Sequence, residues 1–324
     1  MNTSIQDNTL HHQPLALGQR LAGLSLSLLP PFHWLPPKVF RRLFLILDRI
    51  CGLGSIAMKR VEDYSVSVSY PNGDIRLRLY EPNVPSQKTL VFFHSGGCVI
   101  GSIDTHDRFC RHLAHIGQAT VISVDYRLAP EHPFPVSITD AISAWNWVLE
   151  HKRQLVLPKG PIGVAGDSAG GYLSLIVNLI EDQSSLPVQA QRQADFQMIM
   201  FPMLDLNANT PSYGEFTRHL ILTDRIMKYF RKHYLRSNED LNHPLVSPLL
   251  SQHLHQCPKT YLLTVGYDPL RDEGIELANQ LKNKQVDLDY EHFGDCMHSF
   301  FSASRLSPRA KRGVHQIAQA LRNM

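Results

Sequence analysis

Ile162-Gly163-Val164-Ala165-Gly166-Asp167-Ser168-Ala169-Gly170-Gly171-Tyr172-Leu173-Ser174-Leu175-Ile176-Val177 runs from a short apolar segment, through a glycine-flanked serine, into a second apolar segment. The first four residues read as a buried strand and those after Ser168 as a helix, so the serine sits where a strand turns into a helix. Such a turn is sharp and strained, and the glycines around the serine let neighbouring chain pass close to it. The hydroxyl is thereby exposed at a helix N-terminus, where unpaired backbone N–H groups carry partial positive charge. The N–H of Ala169 can then meet an oxyanion formed beside Ser168. A pentapeptide of this kind is a weak signal alone, because most glycine- and serine-rich turns are only turns.

Around this turn the chain reads as a mostly parallel α/β protein. Residues 64–70 and 75–80 alternate apolar and polar about Pro71-Asn72-Gly73-Asp74, which predicts a hairpin. Continuous apolar runs follow at residues 90–93, 119–124, 162–165, 198–203 and 261–265, separated by helical stretches at 105–117, 137–153, 169–183, 271–284 and 308–322. Unbroken apolar strands are buried on both faces, and their alternation with helices implies a parallel sheet flanked by helices. Residues 205–250 break the rhythm with no evident strand, an excursion that suits a second cap or lid.

With 324 residues and 43% hydrophobic composition the chain can build a substantial core. The 32 basic and 29 acidic residues leave a formal charge of +3 with no basic block, so charge makes no case for nucleic acid. Five scattered cysteines without a C-x-x-C pair fit a reducing compartment better than a disulfide framework. Residues 15–29 are leucine-rich, but no basic region precedes them, Arg20 interrupts them and Pro30-Pro31 follows, unlike a signal peptide or a membrane span. The expected location is cytoplasmic. Residues 1–55 read as a helical cap segment covering apolar surface of the protein itself, ahead of a catalytic domain at 56–324. Two apolar helices with arginine flanks could also lie on lipid, which is the less favoured reading.

A serine hydroxyl needs a base, a carboxylate behind the base and donors for the oxyanion. Downstream, residues 261–266 read as a strand ending in Tyr267-Asp268-Pro269-Leu270-Arg271-Asp272, which makes Asp268 the preferred acid; its competing role is to cap the helix that follows. Asp272 lies a turn into that helix. Residues 287–293 form the next strand and lead to Gly294-Asp295-Cys296-Met297-His298, so among seventeen histidines His298 is the preferred base by position. Asp295 is a minor candidate to orient it, and His292 and His315 are less well placed. The donors are expected in Phe93-His94-Ser95-Gly96-Gly97-Cys98, where paired glycines let N–H groups converge on one oxygen. Cys98, Asp167 and Phe300 are the substrate-pocket candidates. There is no H-E-x-x-H, no cysteine pair and no Walker loop, so no metal and no cofactor is expected.

Four blocks in this order, His94-Ser95-Gly96-Gly97, Asp125-Tyr126-Arg127-Leu128-Ala129-Pro130-Glu131 with Phe134-Pro135, the run 166–171, and Asp268-Pro269-Leu270-Arg271-Asp272 with His298, make the chain resemble the hormone-sensitive-lipase-like esterases. This is the GDXG family within the α/β-hydrolase superfamily. The likeness covers roughly residues 62–322, and Gly101-Ser102-Ile103-Asp104-Thr105-His106-Asp107-Arg108 is most similar to bacterial acetyl-esterase-like members. It implies a mostly parallel sheet of about eight strands with a helical cap. It further implies Ser168 as nucleophile, Asp268 as acid, His298 as base, the N–H groups of Gly96, Gly97 and Ala169 as oxyanion hole, and hydrolysis of short-chain carboxylic esters. A lipase or an amide or carbamate hydrolase would use the same triad. A non-catalytic receptor on this fold would lack the histidine that is present here. Two positions depart from the family pattern: Ser95 stands at a glycine, and Cys98 replaces a common aromatic residue, which is expected to widen the pocket. Arg127 and Glu131 look like scaffold.

Overall fold

The structure, a computed structural model, describes residues 13–237, 240–241 and 243–324. The first twelve residues of the expected helical segment, and positions 238, 239 and 242 of the excursion, lie outside the described residues. Helices α1 (Leu17–Leu26) and α2 (Pro37–Cys51) precede strands β1 (Arg60–Ser69), β2 (Asn72–Glu81) and β3 (Lys88–Phe93). The chain continues as α3 (Ile103–Gly117), β4 (Ala119–Asp125), α4 (Val136–Glu150), β5 (Ile162–Asp167), α5 (Ala169–Asn178) and β6 (Phe196–Met200). Short α6 (Pro211–Glu215) and α7 (Asp224–Tyr234) occupy the excursion, followed by β7 (Lys259–Tyr267), α8 (Arg271–Asn283), β8 (Leu288–Met297) and α9 (Pro308–Asn323).

The eight strands form one sheet in the order β1-β2-β4-β3-β5-β6-β7-β8. β2 pairs antiparallel with both β1 and β4, and every other pairing is parallel. The unbroken apolar runs are explained by two packed faces. Val91, Phe93, Val164 and Leu262 join Ile138, Trp145, Leu173 and Leu277 of α4, α5 and α8. Their sequence neighbours Leu90, Phe92, Ala165 and Leu263 turn to Phe109, Leu113, Val314 and Ile317 of α3 and α9. Burying each such side chain is worth about 1.5–3 kcal/mol, so the sheet centre holds the fold.

The hairpin turns earlier than expected. Ser69 faces Asn72 and Val68 faces Gly73, which puts the turn at Tyr70-Pro71 and Asn72-Gly73-Asp74 inside β2. A shift of two residues per strand leaves the same side chains facing inward, so alternation cannot distinguish the registers. Pro71, which has no N–H for a ladder, lies in the turn in either register.

Glu273 of α8 ties down the start of the excursion. Its buried carboxylate accepts from Leu204 N and Asp205 N on Oε2, at 2.8 and 2.9 Å, and from the Tyr213 hydroxyl on Oε1 at 2.8 Å. Burial outweighs these donors and pushes the carboxyl up to about 8. The folded state therefore keeps a proton that the unfolded chain releases above the ordinary glutamate range, and stability contributed by this group falls as pH rises from about 4.5 towards 8. Glu273→Gln keeps the shape and removes the titration. Thermal melts across that window should show the wild type losing Tm relative to the variant; parallel curves would refute the assignment.

Candidate active site

The turn at Ser168 is the strained one expected from its sequence. Ser168 has φ 54° and ψ −116°, a backbone conformation that side-chain-bearing residues rarely adopt. Its N–H donates to Met200 O at 2.9 Å, and its carbonyl accepts from Tyr172 N and Met203 N, which pins the turn to the end of β6. A Cβ at Gly166 would lie 2.2 Å from the Gly170 carbonyl carbon, and one at Gly170 would lie 1.9 Å from Phe93 O. The close packing of β3, β5 and α5 thus requires glycine at both positions.

Asp268 and His298 stand just beyond β7 and β8, at the same edge of the sheet. His298 Nδ1 donates to Asp268 Oδ2 at 2.6 Å, while Asp268 Oδ1 accepts from Leu270 N at 2.9 Å. The carboxylate thus orients the imidazole and closes the turn at Leu270, but it does not cap the helix that follows: Leu270 is the N-cap of α8, and no side chain bonds to the helix start. His298 is further held by its N–H on Tyr267 O and by the Phe201 ring, edge-on at 4.9 Å between centroids. The competing carboxylates are engaged elsewhere. Asp272 accepts from Ser212 N and Arg271 Nε, and Asp295 is paired with Arg309. His292 on β8 contacts Thr264 of β7, and His315 lies on α9 beside Gln319.

Across the cavity, Gly96 and Gly97 have φ of 119° and 61°. Val99 N and Ile100 N both donate to Gly96 O, and among the described residues no backbone acceptor takes the N–H of Gly96, Gly97 or Ala169. A Cβ on Gly97 would meet the Phe230 ring at 2.3 Å, so the loop fits only as glycine beneath α7. Ser95, the departure from the family pattern, turns its hydroxyl to His106 Nε2 at 3.0 Å. His106 also lies 2.8 Å from Thr105 Oγ1 through Nδ1 and 3.4 Å from Asp167 Oδ1. Asp167 is fully buried with no hydrogen bond to its oxygens, and the His106 ring is the polar group that faces it. Beside it, burial and His106 hold His94 down at about 4, as a neutral ring. His106 was not singled out in the sequence. Its signal is the Ser102-x-x-Thr105 capping box that opens α3 and directs the next side chain under the loop.

The three pocket candidates are not where expected. A cavity of about 220 Å³ is lined by Ser168, His298, Ser95 and Gly96, but not by Cys98, Asp167 or Phe300. Cys98 sits in the left-handed region at φ 58°, which turns its thiol inward to Ser137 and Tyr234; burial pushes that thiol up to about 12. Asp167 points to the opposite face from Ser168, as alternation along β5 dictates. Phe300 packs against Phe201, Phe293 and Phe301 in the core. The walls come instead from Phe40, Phe44 and Leu47 of α2, Ala22 and Leu26 of α1, and Leu222, Ile226 and Phe230 of the excursion.

The cap-side wall is tied down at several points. Arg41 donates to Val99 O, Ala129 O and both oxygens of Glu131, fastening α2 to the loops after β3 and β4. Gln19 accepts from Met297 N, fastening α1 beside His298. Arg127, by contrast, pairs with Asp140 and the hairpin carbonyls and touches nothing in the cavity. Among the described residues no cluster of three His, Cys, Asp or Glu side chains is arranged to hold a metal ion.

A serine on a strand-to-helix elbow, followed in chain order by an aspartate and a histidine at the ends of later strands, defines the α/β-hydrolase class. The sequence pattern of the alpha/beta hydrolase fold family matches residues 90–302, and the chain belongs to that family. It is 36% identical, over 81% of its length and 70% of the relative's, to the carboxylic ester hydrolase LipN of Mycobacterium tuberculosis. It is 28% identical to an ethyl acetate hydrolase of Pseudomonas putida, over 93% of this chain and 94% of that one. Its fold superposes on a hyperthermophilic esterase from the archaeon Pyrobaculum calidifontis with a TM-score of 0.87 at 32% identity, covering 96% of this chain and 99% of the other.

Proposed function

We propose that this chain hydrolyses short-chain carboxylic esters through an acyl-enzyme on Ser168. Like its relatives it is a hydrolase acting on carboxylic ester bonds. The observation that carries the mechanism is the hydrogen-bonded Asp268–His298 pair opening onto the same apolar cavity as the strained Ser168.

Asp268 accepts from His298 Nδ1, which leaves Nε2 of the imidazole as the base. His298 takes the Ser168 proton as the hydroxyl oxygen attacks the ester carbonyl carbon, and the developing oxyanion is met by the N–H groups of Gly96, Gly97 and Ala169. The imidazolium returns the proton to the leaving alcohol as the C–O bond breaks. Water then enters and gives a proton to His298 as its oxygen attacks the acyl carbon; the bond to Ser168 breaks, the imidazolium returns that proton to the serine oxygen, and the carboxylic acid leaves. Residues 13–51 and the excursion supply the cap that keeps this reaction out of bulk water.

The cavity supports a small, uncharged substrate. A cavity of about 150 Å³ takes up benzene, so the volume here suits on the order of ten carbon-sized atoms. Phe230 pressed on Gly97 closes the wall behind the oxyanion loop. With p-nitrophenyl esters, kcat/KM should be greatest between acetate and hexanoate and fall by about tenfold or more at dodecanoate, since an acyl chain that does not fit forfeits its buried methylenes. A maximum at dodecanoate or longer would overturn the short-chain assignment. Faster turnover of the matched p-nitroanilide would make the chain an amide hydrolase.

A further inference from the structure

The helices that line the cavity have a second apolar face. On α1, the inward side is Gln19, Ala22 and Gly23, while Leu17, Leu21 and Leu24, continued by Leu28 past the helix end, form a stripe on the other side. Leu17 and Leu28 are 72% and 86% exposed, and Trp34 between the two helices is 73% exposed. On α2, Val39, Ile46 and Ile50 share one side of the helix and are exposed in the same way, while Phe40 is buried on another. Most of the large exposed apolar side chains among the described residues fall in this one segment, which marks an interaction surface rather than scattered exposure.

Charge selects the occupant. Arg20, Lys38, Arg42 and Arg49 stand exposed around the apolar stripes, and none is in an ion pair among the described residues. The segment's acidic residue, Asp48, is buried, and the neighbouring Glu131 is already engaged by Arg41. A second copy of this face would bring like charges together, whereas an anionic surface complements them. The stripe also continues into the site: Leu29 and Leu306 line the cavity and are 38% and 48% exposed, so its mouth opens within the patch.

We propose that the outward face of α1 and α2 docks on an anionic lipid surface and seats the cavity mouth there. Basic residues beside an apolar helical stripe bind such a surface by combining burial with attraction to the headgroups. The less favoured of the two sequence expectations for this segment is thereby joined to the favoured one, since one face covers the cavity and the other faces outward. The substrates this placement favours, resting on the esterase reading above, are short-acyl esters of apolar alcohols, which partition into lipid.

The test uses the full chain and reads binding, not hydrolysis, so its failure leaves the esterase reading untouched. In sedimentation with vesicles of phosphatidylcholine and phosphatidylglycerol, the protein should pellet, and with phosphatidylcholine alone it should stay largely in solution. Arg42→Gln with Arg49→Gln should weaken binding about thirtyfold. Leu21→Ser with Leu24→Ser and Leu28→Ser should abolish it, with p-nitrophenyl acetate turnover unchanged in both variants, which shows that they fold. Binding to neither vesicle, binding that these substitutions leave intact, or a dimer in light scattering that the leucine substitutions dissolve, would overturn the proposal.

Discussion

Ser168→Ala should lower kcat on p-nitrophenyl acetate by roughly 10⁴- to 10⁶-fold while the protein stays folded. The loss is large because the hydroxyl forms the covalent intermediate and no neighbouring group replaces it. Ser95, the other hydroxyl beside the oxyanion loop, is turned to His106. Stability should change little, within about 1 kcal/mol, because alanine keeps the backbone bonds to Met200, Met203 and Tyr172 that hold the turn. Labelling by a fluorophosphonate should vanish in the same variant. Retention of a tenth of the wild-type rate by a cleanly purified sample would place the nucleophile elsewhere.

Asp268→Asn should cost about 10⁴-fold in kcat with the fold intact. The reason lies in the two contacts of this carboxylate. Leu270 N requires an acceptor at Oδ1, so the asparagine oxygen takes that position and the amide NH₂ is left facing His298 Nδ1. The imidazole must then accept at Nδ1 and carry its proton on Nε2, where it can no longer take the serine proton. Asp272→Asn and Asp295→Asn, whose carboxylates serve Ser212 and Arg309, should leave kcat within a few-fold of wild type. A loss at Asp268 of less than tenfold, or a comparable loss at either neighbour, would reassign the acid.

Much of this arrangement was legible because it is written in local pattern. Apolar runs such as Leu90 to Phe93 mark strands buried on both sides, and the order of strands and helices implies the parallel sheet. The ends of those strands then fix which aspartate and which histidine reach the edge where Ser168 turns. The aspartate's ambiguity, cap or catalytic partner, is resolved by where α8 starts: its N-cap is Leu270, so Asp268 stands in the turn before the helix and is left to face His298. The hairpin register was not legible from alternation, because two registers keep the same face inward and both leave Pro71 in the turn.

By itself the sequence determined the sheet, the strand-to-helix serine and the chain order of the site residues, since each follows from periodicity or from the backbone demands of glycine and proline within a few residues. Only the tertiary structure decided what the side chains meet. Cys98 reads as a pocket residue until a left-handed backbone angle turns it into the core, and His106 reads as one histidine among many until α3 brings it under Ser95 and Asp167. The leucines of α1 read as a single apolar run until packing divides them into a face towards the cavity and a face left outside. Periodicity records that a side chain is apolar; which surface covers it depends on segments far away in sequence, placed by the crossovers of the sheet.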